Sequence, residues 1–293
     1  MSAVELNHGL IIAYFGKSVE VETNSGIYHC HLRRNQPLPV VGDQVICYKT
    51  AQGDARIKEI LPRHGILARG EHGLQKPLAA NIDQLVIVMA PPPILSTYLI
   101  DRYLIAANLL RINALIVVNK ADLMSTVEQQ NLADILSIYA TIDYPTIVCS
   151  LKNGYHMDLL NIALTAKTSA LVGPSGVGKS SLIAHLVNTD IKTTAVSAKG
   201  AGKHTTTGTR LYHLPCGGNL IDSPGVRDFN LWSYSLKELQ SGFPEFTKYL
   251  HGCKFRDCQH LAEPGCQLLI AADKGIFAQD RWDNYLDLAK SAN

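Results

Sequence analysis

The chain has 293 residues, a formal net charge of +2, 46% hydrophobic residues and 18% charged ones. That length supports two or three domains with cores of their own, and so small a net charge gives no strong argument for RNA, on which bulk electrostatics stays silent. No apolar run reaches the roughly 18 residues of a membrane span, and Met1-Ser2-Ala3-Val4-Glu5-Leu6-Asn7 lacks the basic start and apolar centre of a signal peptide, so a cytoplasmic protein is expected.

Residues 1–70 alternate in a β manner. Leu10–Tyr14, Ser18–Glu22, Ile27–Leu32 and Gln44–Tyr48 read as short strands, divided by the turns Asn24-Ser25-Gly26 and Val41-Gly42-Asp43. Four or five strands in so short a stretch predict a small barrel. Its eight basic residues outnumber six acids only slightly. Arg33-Arg34 and the stretch from Arg56 to Arg69 offer a local phosphate-binding face, with Tyr14, Phe15 or Tyr28 available for base stacking; a solvated charged surface is the plainer alternative.

From Asn81 the pattern changes to alternating strands and helices that run to about residue 232 and predict a mainly parallel sheet covered on both faces. Gln84–Ala90 is a buried strand ended by Pro91-Pro92-Pro93. Thr97–Leu110 has helical spacing, with Tyr98, Ile100, Leu104, Ile105 and Leu109 on one packed face.

The β-branched run Ala114–Val118 leads into Asn119-Lys120-Ala121-Asp122 at a strand's carboxyl end, where α/β proteins bind ligands. A carboxylate at Asp122 accepts two hydrogen bonds from the N1–H and exocyclic amine of guanine, a donor pair adenine lacks. Taken alone, the motif reads equally well as an Asp capping the next helix. Another short strand, Thr146–Val148, precedes Cys149-Ser150-Leu151-Lys152, whose backbone N–H groups at Ser150 and Leu151 are candidates for the guanine O6.

Ser169–Val172 then feeds Gly173-Pro174-Ser175-Gly176-Val177-Gly178-Lys179-Ser180, followed by the helical Ser181–Leu186. In a loop of the form G-x-x-x-x-G-K-[ST] the glycines let backbone N–H groups fold around phosphates, here from Gly173 through Ser175, Gly176, Val177 and Gly178 to Ser181. Lys179 reaches the β and γ oxygens, and the Ser180 hydroxyl binds Mg²⁺. The guanine motif precedes this loop, whereas an ordinary GTPase places it well after. The motif order is circularly permuted.

Lys199–Thr209, rich in glycine and hydroxyls, reads as a nucleotide-sensitive loop that supplies a threonine to Mg²⁺ and the γ-phosphate, or else as a solvated linker. Thr206 is the first choice, with Thr205 and Thr207 left open. Leu220–Gly225 reads as a strand running into D-x-x-G, in which Asp222 holds Mg²⁺ through water and the Gly225 N–H senses the γ-phosphate.

After Phe229 the sequence turns helical, through Ser235–Leu239 and Phe243 to Leu250, with a last helix ending near Leu288 that Phe277, Trp282 and Tyr285 pack down. Of seven cysteines, Cys30, Cys47, Cys149 and Cys216 are scattered, and most of them read as small buried thiols. The others form C-x4-C-x-H-x5-C with Cys253, Cys258, His260 and Cys266, a soft-ligand set that closes a tetrahedral, structural Zn²⁺ site. A metal-free loop or a disulfide is the rival, and His251 is a possible alternative ligand.

These segments together resemble the circularly permuted GTPases, and among them the bacterial small-ribosomal-subunit biogenesis GTPases, along the whole chain. The resemblance rests on Gly173–Ser181, Lys203-His204-Thr205-Thr206-Thr207, Asp222-Ser223-Pro224-Gly225 and the Cys/His tail. Lys203 stands where arginine is usual, Pro174 takes the second loop position, and Leu151 replaces an alanine. The resemblance implies a multidomain chain: an OB-fold RNA- or ribosome-binding domain at 1–70, a circularly permuted α/β P-loop GTPase domain at 71–232, and a helical zinc-binding domain at 233–293. It also implies GTP and GDP as substrate and product, and late maturation of the 30S subunit through 16S rRNA near the decoding region. Stimulation of hydrolysis by that subunit is expected, from a monomeric enzyme.

Where Ras-like enzymes carry a water-positioning glutamine after Gly225, this chain has Val226, which cannot hydrogen-bond, so another group must orient the nucleophile. His204 is the candidate, in agreement with the resemblance. Gly176 gives no side chain for a potassium ion, and that dependence stays open. Two rivals remain. A metabolic P-loop kinase does not need the Asn119–Asp122 motif, and a non-catalytic OB and zinc RNA-binding protein leaves the central motifs unexplained.

Overall fold

The computed structural model describes residues 6–32, 37–50, 55–69, 76–91, 95–188, 209–222 and 234–292. At the N-terminus, β1 (Leu6–Tyr14), β2 (Ser18–Thr23), β3 (Gly26–His31), β4 (Gln44–Lys49) and β5 (Ala55–Ile60) pair in the order β1-β2-β3-β5-β4, and β4 returns to β1. The barrel is closed. Alternation points Ile11, Val19, Val21, Cys30, Val45, Cys47 and Ala55 inward, all nearly or wholly removed from solvent. Each such aliphatic side chain contributes roughly 1.5–3 kcal/mol of burial. Arg63, counted above with a phosphate-binding face, is instead tied inward: its guanidinium donates to both carboxylate oxygens of the fully buried Asp43, at 2.6 Å each. Arg33 and Arg34 lie outside the described residues.

A two-stranded ribbon, β6 (Leu67–Arg69) against β7 (Lys76–Ala79), follows the barrel and spans the expected boundary at residue 70. Beyond it, β8 (Gln84–Met89), β9 (Asn113–Val118), β10 (Thr146–Val148), β11 (Thr168–Val172) and β13 (Asn219–Asp222) run parallel in the order β10-β9-β8-β11-β13. All six residues of β8 are buried, as a strand covered on both faces requires. Leu85, Ile87 and Met89 join the core under α1 (Thr97–Leu110) and α2 (Thr126–Ala140). Val86 and Val88 face the other way, into the core with α3 (Met157–Leu164) and α4 (Lys179–Asn188).

Besides β5, β6 and β7, one more strand was not read from the sequence. Arg210–His213 forms β12, antiparallel to β13 on one side and bridged to barrel strand β1 on the other, so eleven of the described strands make a single sheet. A transverse row crosses it: Asp222 pairs with Arg210, Arg210 with Ala13, Ala13 with Glu20, and Glu20 with His29. Side chains reinforce the junction, with Arg210 3.2 Å from Glu20 and His213 Nε2 2.6 Å from Glu22.

The C-terminal region contains α5 (Leu236–Ser241), a 3-10 helix at Pro244–Tyr249, α6 (Gln267–Asp273) and α7 (Gln279–Ala289). Ser235 and Glu238 cap α5 reciprocally, but the helix expected to continue stops at Gly242. A Cβ there would meet the Ile105 Cγ2 at 2.6 Å, so glycine lets this turn rest directly on α1. The single packed face expected of α1 therefore divides: Ile100 and Leu104 face the sheet, while Ile105, Tyr98 and Leu109 face the C-terminal core. Phe277, Trp282 and Tyr285 do pack there, around a stacked Phe243–Phe246 pair with ring centroids 4.7 Å apart. Among the described residues no helix is long and apolar enough to cross a membrane.

Candidate nucleotide site and metal centre

The loop after β11 turns sharply. Gly173 has φ +137° and lies so near β8 that a Cβ would fall 2.1 Å from the Val88 carbonyl oxygen, which excludes any side chain. Lys179 opens α4, is buried, and donates from Nζ to the carbonyls of Gly173 (2.6 Å) and Pro174 (2.7 Å), lying back across the loop. Val177 is buried as the loop's anchor, while Ser175, Gly176, Ser180 and Ser181 are exposed at the helix N-terminus.

The guanine motif docks onto this loop despite preceding it in the chain. Buried Asn119 donates from Nδ2 to the Val177 carbonyl at 3.0 Å, and Lys120 donates from Nζ to the Gly176 carbonyl at 2.7 Å. Gly178 has φ +96°, and a Cβ there would meet the Asn119 Nδ2 at 2.5 Å, so the two motifs touch through a residue that must be glycine. Asp122 lies in a 3-10 turn, Ala121–Leu123; the cap of α2 is Ser125, in a capping box with Glu128. The helix-capping alternative for Asp122 is thereby removed.

Ser150 plays a part the sequence reading did not assign. Its hydroxyl, wholly buried, donates to the Asp122 Oδ1 at 2.5 Å, while its amide donates to the Tyr155 carbonyl at 3.0 Å. Lys152 Nζ stands 3.7 Å from the Asp122 Oδ2. The Ser150 hydrogen bond, helped by the Lys152 charge, holds the Asp122 carboxyl below the usual carboxylate range. The Leu151 amide makes a long contact with Asn119 Oδ1, at 3.4 Å. A cleft of about 310 Å³ opens between Asn119, Lys120, Asp122, Leu151, Gly178 and Ser181, bringing the Asn119–Asp122 and Gly173–Ser181 segments around one space.

Asp222 closes β13 beside β11, and Ser180 stands in the first turn of α4. A carboxylate at the end of β13 and a hydroxyl in the first turn of the helix that follows β11 are the hard oxygen donors that Mg²⁺ takes. Gly225, His204, Thr206, its neighbours Thr205 and Thr207, and Val226 lie outside the described residues.

In the C-terminal region the ligand atoms of Cys253, Cys258, His260 and Cys266 all lie within 4.8 Å of one another. His260 Nδ1 is 3.5 Å from the Cys253 Sγ and 3.3 Å from the Cys266 Sγ, and those two sulfurs are 4.0 Å apart. Bonds of about 2.3 Å to sulfur place tetrahedral ligands roughly 3.8 Å apart, so the set fits zinc after closing in by about 1 Å at most. None of the four scattered cysteines nor the cluster forms a disulfide, and His251 is not part of the set. Cys216 is half-buried in the turn after β12 rather than in a strand. Glu263, which the sequence reading passed over, shapes the ligand loop: its carboxylate accepts from the amides of Gln259, Leu261 and Ala262, which pull its pKa down to about 2.

The parallel sheet, the phosphate loop and a guanine motif that meets it in reversed chain order define a circularly permuted GTPase. The family model for RsgA GTPase matches residues 60–232. Proteins named small ribosomal subunit biogenesis GTPase RsgA from Haemophilus influenzae and Pseudomonas aeruginosa are 43% and 46% identical, over 98% and 97% of the chain and 85% of each relative. The crystal structure of YjeQ from Thermotoga maritima superposes with a TM-score of 0.79 at 29% identity, covering 98% of both chains. That of YloQ, described as a circularly permuted GTPase, gives 0.75 at 26%, covering 98% of this chain and 94% of its own. The chain belongs to the RsgA GTPase family, and with it to the GTP hydrolases that work with GTP, GDP and Mg²⁺.

Proposed function

We propose that this GTPase assists the late maturation of the small ribosomal subunit, a reading supported by relatives named for small ribosomal subunit biogenesis. In this reading it is a cytoplasmic monomer that binds the 30S particle, contacts 16S rRNA, hydrolyses GTP under the particle's stimulation and then leaves. The observation that carries the nucleotide chemistry is the docking of Asn119 and Lys120 onto the carbonyls of Val177 and Gly176.

Asp122 reads guanine, held in place by Ser150, and Leu151 borders the base. Backbone N–H groups from Gly173 to Ser181 hold the phosphates. Lys179 exchanges its contacts with the Gly173 and Pro174 carbonyls for the β and γ oxygens. Ser180, Asp222 and Thr206 hold Mg²⁺, which neutralises charge on the phosphates when bound. Gly225 senses the γ-phosphate, and His204 orients or accepts from the attacking water. The division into a barrel at 1–70, a GTPase domain at 71–232 and a zinc module at 233–293 supports this, because the zinc module follows directly on the γ-phosphate-sensing segment. GTP and GDP forms are then expected to differ in affinity for the subunit.

The test is GTP turnover with and without purified 30S particles, together with calorimetry of guanosine and adenosine nucleotides. Stimulated turnover and a guanosine preference are expected. Preference for ATP would favour a metabolic kinase instead, and binding to the particle without turnover would favour a non-catalytic RNA-binding protein.

A further inference from the structure

Resting on the reading of Asp122 as the guanine reader with Ser150 and Leu151 beside it, we propose that His156 is a positioning residue for base recognition, tethering the loop that carries Ser150 and Leu151 to the open edge of the sheet. Among the described strands β10 is the outermost on its side. Cys149, which follows it, turns both backbone groups inward, its N–H to the Val118 carbonyl at 2.8 Å and its carbonyl to the Ala121 N–H at 3.0 Å. Alternation along the chain turns the Val148 carbonyl the other way, where no described strand meets it. His156 does: its Nδ1 stands 3.0 Å from that oxygen. A carbonyl only accepts, so Nδ1 carries the hydrogen.

The residues in between depend on this tie. Lys152, Asn153, Gly154 and Tyr155 are all exposed, so packing contributes little to holding them and hydrogen bonds must. The Ser150 amide donates to the Tyr155 carbonyl at 3.0 Å, and the Tyr155 amide donates to the Asn153 Oδ1 at 3.2 Å. The Tyr155 ring stacks on the imidazole, with centroids 3.8 Å apart and planes inclined by 26°. The loop is thus closed at its neck, with His156 as the fastener. Helix capping does not account for this residue. An N-cap is ordinarily an extended Ser, Thr, Asp or Asn whose side chain accepts from the helix amides, whereas His156 precedes α3 at φ +53° and ψ +25° and makes no such bond. Glycine could supply that backbone, but not the ring nitrogen. The Ser150 hydroxyl lies 2.5 Å from the Asp122 Oδ1 and the Leu151 amide 3.4 Å from the Asn119 Oδ1, so slack in the neck passes directly to the two groups beside the base.

The experiment uses the full chain, with calorimetry of GDP and ADP, GTP turnover, and circular dichroism to show that each variant folds. His156→Gly keeps the left-handed turn and removes the tether; GDP affinity should fall roughly fivefold, the effect of one lost hydrogen bond. His156→Asn sets an amide nitrogen close to the place of Nδ1 and should restore affinity, whereas His156→Gln, with its amide one carbon further out, should not. In the glycine variant KM for GTP should rise with kcat unchanged, because the loop lies at the base end of the site. Full GDP affinity in His156→Gly, no recovery in His156→Asn, or a fall confined to kcat would each overturn the tether. So would a long-range proton–nitrogen correlation spectrum of the unmodified chain at about pH 8 that places the imidazole hydrogen on Nε2, a result that needs no variant. A preference for GDP over ADP in the unmodified chain, with His156→Gly binding GDP unimpaired, sinks only the tether. No such preference in the unmodified chain sinks the guanine reading and the tether with it.

Discussion

Arg281 of the last helix donates to Asp101 of α1 at 2.6 Å, with both side chains almost wholly shut off from solvent. The guanidinium also grips Glu245 at 2.8 Å and lies 4.5 Å over the Phe243 ring, while Asn284 and Tyr139 complete the hydrogen bonds of Asp101. Burial works against the Arg281 charge, and the two carboxylates more than offset it, so its pKa is raised. Three parts of the chain, α1, α2 and the zinc module, are thereby joined at one buried point.

Removing one partner leaves a buried charge without compensation. Arg281→Ala should cost about 3–5 kcal/mol in urea unfolding, more than a surface ion pair explains. A loss below about 1 kcal/mol would mean that water enters and satisfies Asp101.

Gly178→Ala places a methyl group against the Asn119 amide at a backbone angle that L-residues rarely adopt. Affinity for GDP should fall by at least roughly tenfold, since the phosphate and base halves are displaced together. Isothermal titration measures it; Gly176→Ala, with nothing near its Cβ, should be milder despite the same sign of φ.

Ser150→Ala takes away the leading cause of the low Asp122 pKa, so the carboxyl rises toward its ordinary value near 4. Guanine needs the ionised form. Binding of GDP should therefore begin to fail at a higher pH than in the unmodified protein, and at neutral pH it should weaken roughly fivefold from the lost hydrogen bond. Titrations from pH 7 down to about pH 3 report both effects; identical acid limbs would detach Ser150 from base selection.

Protein purified without chelator should contain about one zinc per chain. Cys258→Ser should abolish that content and alter the fluorescence of Trp282, which packs on Phe246 and Phe277. Zinc content below a tenth of the protein would remove the metal.

His204→Ala should spare GTP binding and lower 30S-stimulated turnover, whereas Lys179→Ala should lower both. Unchanged stimulated turnover in His204→Ala would shift the water-positioning role elsewhere.

The residues legible in the sequence are those whose chemistry is local. The phosphate loop, Asn119–Asp122 and the Cys/His set each occupy a short window, and the structure brings the first two into contact and closes the third. Contacts that depend on distant partners were not legible. Ser150 was read for its amide because only folding reveals that its hydroxyl meets Asp122. Arg281 looks like any surface arginine until Asp101, 180 residues away, is placed beside it. Strand Arg210–His213 is short and partly polar, and its pairing with Ala13 comes from topology rather than from any periodicity. The opposite failure occurred with Arg63, whose basic character pointed to phosphate although Asp43 holds it inside.

The seam between Ala13 and Arg210 makes the barrel an extension of the nucleotide sheet rather than a bead on a tether. Cutting the barrel away would bare the rim of β12, with donors and acceptors ready to recruit another chain. A shortened enzyme should therefore tend to self-associate, and deletion studies will mix loss of the proposed RNA contact with this newly opened margin.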